Sequence, residues 1–239
     1  MPVDKWFPLA IYYADLPGAK NQNVALKEVI LQLKNAADAE PVDPNLPAWT
    51  GDVNGVGQIH SDPRFAWLVG QVEQHCIEYL RILGHDLNKI SLYIQRGWPI
   101  VSQKGESVAV HAHHNANVSA VYYVDIPAGV DPSTAGVFVV HNKHGQNEVQ
   151  TGIATKSTTA ISDWNELNIK TAMYLPVPGR LLIFPAKQPH SVEPNQTDGV
   201  RISVSFDIVM TASKLAGQDT LEFLAPPPDR WKEFSVRAT

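Results

Sequence analysis

Apolar positions in the first third of the chain recur at helical spacing. One amphipathic stretch follows Asn21 and Asn23, either of which suits a helix N-cap, and runs to about Asp38. A second starts at Ser61-Asp62-Pro63, where a capping residue precedes a proline in the first turn, and runs to about Leu83. The side chains that the second helix is predicted to bury are Phe65, Leu68, Val69, Val72, Cys76 and Leu80.

After residue 88 the periodicity becomes that of short strands. Brief apolar runs bounded by turn residues are typical of β-structure. They cover 90–96, 107–113, 117–125, 136–141, 147–154, 171–177, 180–185, 190–193 and 200–209, and one earlier run covers 6–14. Many short strands at this spacing indicate an all-β body made of two sheets or a closed barrel. The two helices are then expected to pack against that body as an N-terminal buttress.

We expect one domain over residues 1–239. Its parts are an N-terminal strand and helical buttress over 1–88, a β core over 89–212 and a C-terminal tail over 213–239. The longest irregular insertion between predicted strands, residues 156–170, is a candidate lid over a site. Pro226-Pro227-Pro228 predicts that the tail is extended rather than helical.

The composition narrows the class of function. The 239 residues carry a net charge of −5 without a basic stripe, which argues against a nucleic-acid partner. The single cysteine, Cys76, rules out an internal disulfide and suits a reducing compartment. The apolar run from Trp6 to Ala14 is interrupted by Pro8 and lacks a signal-peptide pattern, and no stretch reaches the ~20 apolar residues of a membrane span. We therefore expect a cytoplasmic protein without nucleic-acid or membrane partners.

Three histidines carry the candidate chemistry. Because side chains alternate along a strand, His111 and His113 share one face, whereas His114 points away. His190 follows another predicted strand, which could lie beside the first. Three such imidazoles suit a transition-metal site. Half-buried strand histidines are also common as hydrogen-bonded core residues, so the spacing alone leaves both interpretations open.

The ligand set would differ from the usual one. Iron sites that activate oxygen generally combine two histidines with a carboxylate and leave further positions open. No Asp or Glu stands at the place of His113, so three neutral histidines would leave the iron one charge unit more positive and would suit anionic co-ligands. Another histidine pair, His141 and His144, lies in a polar, turn-like segment and is interpreted as a solvated loop.

The last predicted strand has a polar face. Arg201, Ser203, Ser205 and Asp207 alternate with Ile202, Val204, Phe206 and Ile208. An arginine inside the β body needs an anionic partner, because an unpaired buried charge is very costly. Its planar guanidinium can grip a carboxylate through two hydrogen bonds, and Ser203 would add a hydroxyl. Alone, this pattern is typical of a surface edge strand; beside His190, it predicts a carboxylate-binding site.

These segments together resemble one family. The relevant stretches are His111-Ala112-His113, Ser119-Ala120-Val121-Tyr122-Tyr123-Val124, Ile183-Phe184-Pro185 with His190, Arg201-Ile202-Ser203-Val204-Ser205-Phe206 and the opening Trp6-Phe7-Pro8-Leu9-Ala10. They are similar to the iron(II)/2-oxoglutarate-dependent dioxygenases, and within them to a group of oxygenases with a His-x-His motif. The resemblance spans residue 6 to about residue 210. It implies a mostly β, double-stranded β-helix (jelly-roll, cupin-like) core with the N-terminal helices packed on one sheet.

The resemblance also implies roles for individual residues. His111 and His190 would be iron ligands, and Arg201 would hold the distal carboxylate of 2-oxoglutarate with help from Ser203 and Tyr123. His113 stands where relatives usually have Asp or Glu, and strand alternation makes it the third ligand. Another departure from the family pattern is Asn115-Ala116, where a serine is expected. The residues expected at the substrate-facing wall are Trp98, Gln103, Asn115 and Asn117, together with the 156–170 insertion.

The implied activity is the oxidative decarboxylation of 2-oxoglutarate, coupled through iron(II) and O2 to hydroxylation or a related C–H oxidation. The substrate would be a small molecule, an amino acid or a peptide. Two alternatives remain open from the sequence. One is a three-histidine, cupin-type dioxygenase that does not use 2-oxoglutarate, in which Arg201 binds the substrate carboxylate. The other is a non-catalytic metal-binding module. The oligomeric state is also left open, a homodimer included.

Overall fold

The computed structural model describes residues 2–37, 48–143, 145–154, 160–216 and 222–234. The helices in these ranges are α1 (Ala19–Ala36) and α2 (Ala66–Ile82). The strands are β1 (Tyr12–Asp15), β2 (Trp49–Thr50), β3 (Ile90–Ser102), β4 (Val108–His111), β5 (Val118–Asp125), β6 (Phe138–His141), β7 (Thr171–Tyr174), β8 (Arg180–Pro185), β9 (His190–Val192) and β10 (Arg201–Ala212). No helix in the described part of the chain has the length and apolar character needed to cross a membrane.

The strands form two antiparallel sheets. A six-stranded sheet has the order β1-β8-β5-β10-β3-β2, and a four-stranded sheet has the order β4-β9-β6-β7. The sheets face each other, since Val121, Tyr123 and Phe184 of the first pack in one cluster with Phe138 and Val140 of the second. This arrangement confirms the predicted mostly β, jelly-roll architecture.

Both helices pack on the six-stranded sheet. Alternation along β10 directs Ile202, Val204, Phe206 and Ile208 to one face, where they join the main core cluster. Phe65, just before α2, and the buried side chains of the two helices pack against them, namely Leu26, Ile30, Leu68, Val72, Cys76, Tyr79 and Leu80. The opposite face of β10 is left for the polar residues and is turned toward the four-stranded sheet. The predicted helical buttress is therefore confirmed.

The first helix begins differently from the prediction. It starts at Ala19 after Gly18, whose φ of 78° suits a glycine, and no asparagine caps it. Asn23 instead donates a hydrogen bond to the Val124 carbonyl at 2.7 Å and accepts one from the Tyr122 hydroxyl at 2.6 Å. Its side chain therefore fastens the helix to β5, a role that local sequence does not distinguish from capping.

Several predicted strand limits were also wrong. Residues 147–154 form turns instead of a strand, and the loop is held by an ion pair of 2.6 Å between Glu148 and Lys170. The opening strand is limited to β1 and does not include residues 6–10. A short helical turn at Pro63–Phe65 precedes α2. Asp62 caps this turn, because its side chain accepts a hydrogen bond from the backbone N–H of Arg64.

Burial of Cys76 gives a direct test of how α2 packs. The residue is 2 % exposed, and burial raises the pKa of its thiol to about 12. At about pH 8, roughly one thiol in 10⁴ would be ionised, so a thiol-specific disulfide reagent should not react with the native protein. One equivalent should react in guanidinium chloride. Rapid reaction of the native protein would contradict this placement of α2.

Candidate active site

Three histidines meet between the sheets. His111 ends β4 and lies directly opposite His190 of β9 in the register of the four-stranded sheet. His113 follows two residues after β4 and is anchored by its backbone N–H, which donates to the Ala186 carbonyl at 2.9 Å. Ligand atoms of the three imidazoles all lie within 4.8 Å of one another. The structure thus brings together the three residues that the sequence suggested as metal ligands.

Nδ1 of each imidazole already faces a hydrogen-bond acceptor within the protein. Nδ1 of His111 lies 2.8 Å from the Ala109 carbonyl, and Nδ1 of His190 lies 2.9 Å from the Gln188 carbonyl. These acceptors place a proton on Nδ1 and leave the Nε2 lone pair free, which is the tautomer of a metal ligand. Nδ1 of His113 faces a carboxylate, and its Nε2 lies 3.2 Å from that of His111. The three Nε2 atoms therefore converge.

Desolvation keeps two of these rings neutral. Burial lowers the pKa of His190 to about 3, and packing of the surrounding residues also lowers the pKa of His111. Because a protonated imidazole cannot bind a metal, these shifts leave the site ready at neutral pH. His190 is 4 % exposed, whereas His111 is the exposed member and lies at the mouth.

The histidines line a cavity of about 360 Å³ between the two sheets. Its inner end is formed by the polar face of β10. Arg201 is 1 % exposed there, and Ser203 lies directly opposite Tyr123 of β5 in the sheet register. All three line the same cavity as the histidines.

These polar groups have no hydrogen-bond partner in the described part of the chain. Arg201 Nε, Ser203 Oγ and Tyr123 Oη are buried without a hydrogen-bond acceptor or donor among the described residues. Burial lowers the pKa of Arg201 and raises the pKa of Tyr123 to about 12, so the tyrosine is a neutral donor. A cation and two hydroxyls that converge without an acceptor fit a bound carboxylate, and three imidazole Nε2 atoms fit a divalent metal.

A glycine makes room for the arginine. Gly136, just before β6, has φ +82°, and a Cβ at this position would lie 3.3 Å from Arg201 Nε. Any larger residue would therefore strain the backbone and press on the guanidinium. Sequence reasoning missed this contact, because nothing in the local sequence connects Gly136 with Arg201.

Sequence comparison agrees with this geometry. The model of a family described as "Putative 2OG-Fe(II) oxygenase" matches residues 96–207, the segment that holds the histidines, Tyr123, Arg201 and Ser203. Over this segment, a little less than half of its length, the chain is similar to the iron(II)/2-oxoglutarate oxygenases. The three histidines and the buried arginine of this segment fit iron(II) and 2-oxoglutarate. No curated protein sequence matches the chain.

Solved structures resemble this chain in fold. The non-heme α-ketoglutarate-dependent carbocyclase SnoK from nogalamycin biosynthesis is 14 % identical, with a TM-score of 0.59 over 91 % of this chain and 87 % of that chain. HygX from Streptomyces hygroscopicus, with nickel and 2-oxoglutarate bound, is 12 % identical, with a TM-score of 0.54 over 84 % and 83 % of the chains. A prolyl hydroxylase in complex with a peptide fragment of hypoxia inducible factor, from Trichoplax adhaerens, is 13 % identical, with a TM-score of 0.52 over 83 % of each chain.

The structure divides the four residues expected at the substrate-facing wall into two pairs. Trp98 and Asn115 line the cavity. Gln103 and Asn117 do not lie among its lining residues. Gln103 follows the end of β3 and donates its backbone N–H to Glu106, while Asn117 accepts a hydrogen bond from the Met210 backbone at 2.7 Å. The structure therefore gives Asn117 a role in holding the strand ends together.

Other expectations concern segments outside the histidine cluster. His114 is exposed and contributes to the cavity lining without joining the cluster, and His141 contacts Ser191 Oγ at 2.9 Å. His144 and residues 156–159 lie outside the described residues. Residues 160–170 do not line the cavity, so this part of the insertion forms no lid over it.

Proposed function

We propose that the protein is an oxygenase that uses His111, His113 and His190 to bind iron(II). Arg201, with Ser203 and Tyr123, binds the distal carboxylate of 2-oxoglutarate. The reaction is hydroxylation, or a related C–H oxidation, of a small molecule, an amino acid or a peptide.

The observation that carries this proposal is the unpaired polar cluster at the inner end of the histidine cavity. A buried arginine without a carboxylate partner is costly in a folded protein, so the cost is expected to be offset when an anion binds. Within the ranges that the structure describes, Tyr123 Oη and Ser203 Oγ also lack partners at this place. An anion held here would share the cavity with the three Nε2 atoms. A dicarboxylic co-substrate suits both anchors, because one end can meet the arginine while the other meets the metal.

When bound, iron(II) and 2-oxoglutarate supply the chemistry that couples loss of carbon dioxide to oxidation of a C–H bond. The chain orients both groups and limits access by water. Arg201 and Ser203 project from one face of β10, and Tyr123 projects from the adjacent strand, so the sheet register fixes the carboxylate anchor. The histidine acceptors fix the direction of each Nε2 lone pair.

The substrate is expected to enter beside Trp98 and Asn115, on the cavity wall away from Arg201. Thr50, at the end of β2, and Asp52, in the turn that follows, line the same cavity and were missed by the sequence, because both lie far from every motif. Among the similar structures, one is a carbocyclase from nogalamycin biosynthesis and another holds a peptide fragment, which supports both small molecules and peptides as substrates.

The proposal predicts a specific spectrum. Anaerobic addition of iron(II) and 2-oxoglutarate to the protein should produce a weak visible charge-transfer band. This band requires that 2-oxoglutarate chelates the bound iron, so it reports that both groups occupy one site. Admission of oxygen should then release succinate. The matched control is succinate in place of 2-oxoglutarate, which lacks the keto oxygen and should give no band.

Absence of the band despite bound iron would contradict the use of 2-oxoglutarate. It would favour the three-histidine dioxygenase in which Arg201 binds the substrate carboxylate. Absence of iron binding would remove the proposed metal centre itself.

A further inference from the structure

A buried carboxylate lies directly behind one of the proposed metal ligands. Asp207 projects from the same face of β10 as Arg201, and its side chain is fully buried. Its Oδ1 lies 2.5 Å from His113 Nδ1 and accepts a hydrogen bond from Ser119 Oγ at 3.2 Å. Its Oδ2 accepts hydrogen bonds from Arg96, through Nε at 3.1 Å and through Nη2. The function proposed above assigns no role to this residue.

The same contacts hold the His113 ring from a second side. The Arg96 guanidinium lies over the Trp98 indole, 4.9 Å from its centroid. Trp98 in turn stacks on the His113 ring, with centroids 5.7 Å apart and planes inclined by 29°. Arg96, Asp207, His113 and Trp98 thus form a closed ring of contacts. The imidazole is fixed in direction by the carboxylate and in plane by the indole.

His113 differs from the other two histidines in the charge of its acceptor. His111 and His190 face backbone carbonyls, which are neutral, whereas His113 faces a carboxylate. A carboxylate can only accept here, because Arg96 and Ser119 already donate to it. The proton of the imidazole is therefore held on Nδ1, and a negative charge behind the ring makes Nε2 a stronger donor toward a metal.

We infer that Asp207 is a positioning residue. It lies behind His113 and supplies there the negative charge that the three-histidine ligand set lacks. It acts through His113, whose Nε2 it directs and strengthens. This inference rests on the proposed function, since it requires that the three histidines bind a divalent metal.

The test measures metal affinity rather than turnover. Calorimetric titration with Co(II) should give a Kd about 10- to 100-fold weaker for Asp207→Asn than for the wild type, the range found when outer partners of metal-binding histidines are removed. The control is Asp15→Asn, which also removes a carboxylate paired with an arginine of the six-stranded sheet, Arg180, and does not lie among the cavity-lining residues. Its effect on the Kd for Co(II) should be less than about threefold. Circular dichroism and thermal unfolding without metal check that each variant folds.

A second background separates action through His113 from a general effect of charge or folding. In His113→Asp, the side chain at position 113 has no N–H to donate to Asp207, and the two carboxylates repel each other. Adding Asp207→Asn to this variant should therefore not weaken Co(II) binding further. Equal weakening in both backgrounds would overturn the inference, because the effect would not pass through His113.

The outcomes also separate this inference from the proposed function. If the wild type binds no Co(II) or iron(II), both fail. If the wild type binds the metal and Asp207→Asn binds it equally well, only the role of Asp207 is overturned.

Discussion

Arg201→Met is expected to raise the melting temperature of the metal-free, ligand-free protein and to abolish the binding of 2-oxoglutarate. The two effects have one cause. Arg201 is 1 % exposed, and its side chain makes no ion pair within the described part of the chain. Methionine has a similar length and no charge, so it removes the desolvation cost without opening a large void. Replacement of buried charged groups by apolar ones stabilises proteins by up to about 4 kcal/mol.

The loss of binding should be large. Truncating one partner of a buried, hydrogen-bonded charge pair costs about 2–5 kcal/mol, or roughly 30- to 5,000-fold in Kd. In the wild type with iron(II), 2-oxoglutarate at about 100 times its Kd adds about 2.7 kcal/mol of stability. That corresponds to a rise in Tm of roughly 5–11 °C for a domain of this size. Anaerobic differential scanning calorimetry should show this rise in the wild type and not in Arg201→Met.

Arg180→Met is the matched control. Arg180 also begins a strand of the six-stranded sheet, but it forms a partly exposed ion pair with Asp15 through two hydrogen bonds, at 2.7 and 2.9 Å. Its loss should cost at most about 1 kcal/mol and should leave 2-oxoglutarate binding unchanged. Unaltered 2-oxoglutarate binding in Arg201→Met would contradict the carboxylate anchor.

His111→Ala is expected to eliminate iron binding with little effect on the fold. His111 is the exposed member of the histidine cluster, so its removal opens no internal cavity. It nevertheless supplies one of three convergent Nε2 atoms, and loss of a direct ligand should exceed the roughly 100-fold effect of losing an outer partner. Anaerobic iron(II) titration should show the loss of affinity, and 2-oxoglutarate turnover should fall in parallel. Thermal unfolding of the metal-free protein should be nearly unchanged.

His114→Ala provides the comparison. This histidine is also exposed, lies three residues along the same segment and lines the cavity, yet it is not a member of the cluster. Its replacement should leave the Kd for iron(II) unchanged. A loss of affinity equal to that of His111→Ala would indicate that the segment, rather than the ligand atom, controls metal binding.

The parts of the molecule that follow from local pattern were predictable from the sequence. Alternation along β10 directs Ile202 and Phe206 toward the helices and Arg201 toward the other sheet, because the period of two is a property of the strand itself. The helical period likewise predicts most of the buried face of α2. Val69 is the exception: it is only partly buried, at the margin of that face.

Contacts between distant segments were not predictable in this way. The pairing of His113 with Asp207 joins residues 94 positions apart, and it depends on how the segment after β4 crosses the six-stranded sheet. Gly136 meets Arg201 only because the two sheets approach each other there. Gln103 failed as a wall residue for a related reason: β3 ends at Ser102, and the chain turns away before reaching the cavity.

The site is divided between two layers of unequal support. His111 and His190 belong to the four-stranded sheet, whereas the carboxylate anchor belongs to the six-stranded sheet, on which α1 and α2 pack. If one sheet were displaced past the other by a single residue, about 3.3 Å, the metal-binding histidines would move away from the carboxylate anchor. Each side chain would still keep its position within its own sheet. The relative position of the two sheets therefore sets the distance between the histidines and the carboxylate anchor. Changes to the loops at the rim can preserve the distance between the sheets. Insertions that alter this distance would separate the metal-binding histidines from the carboxylate anchor.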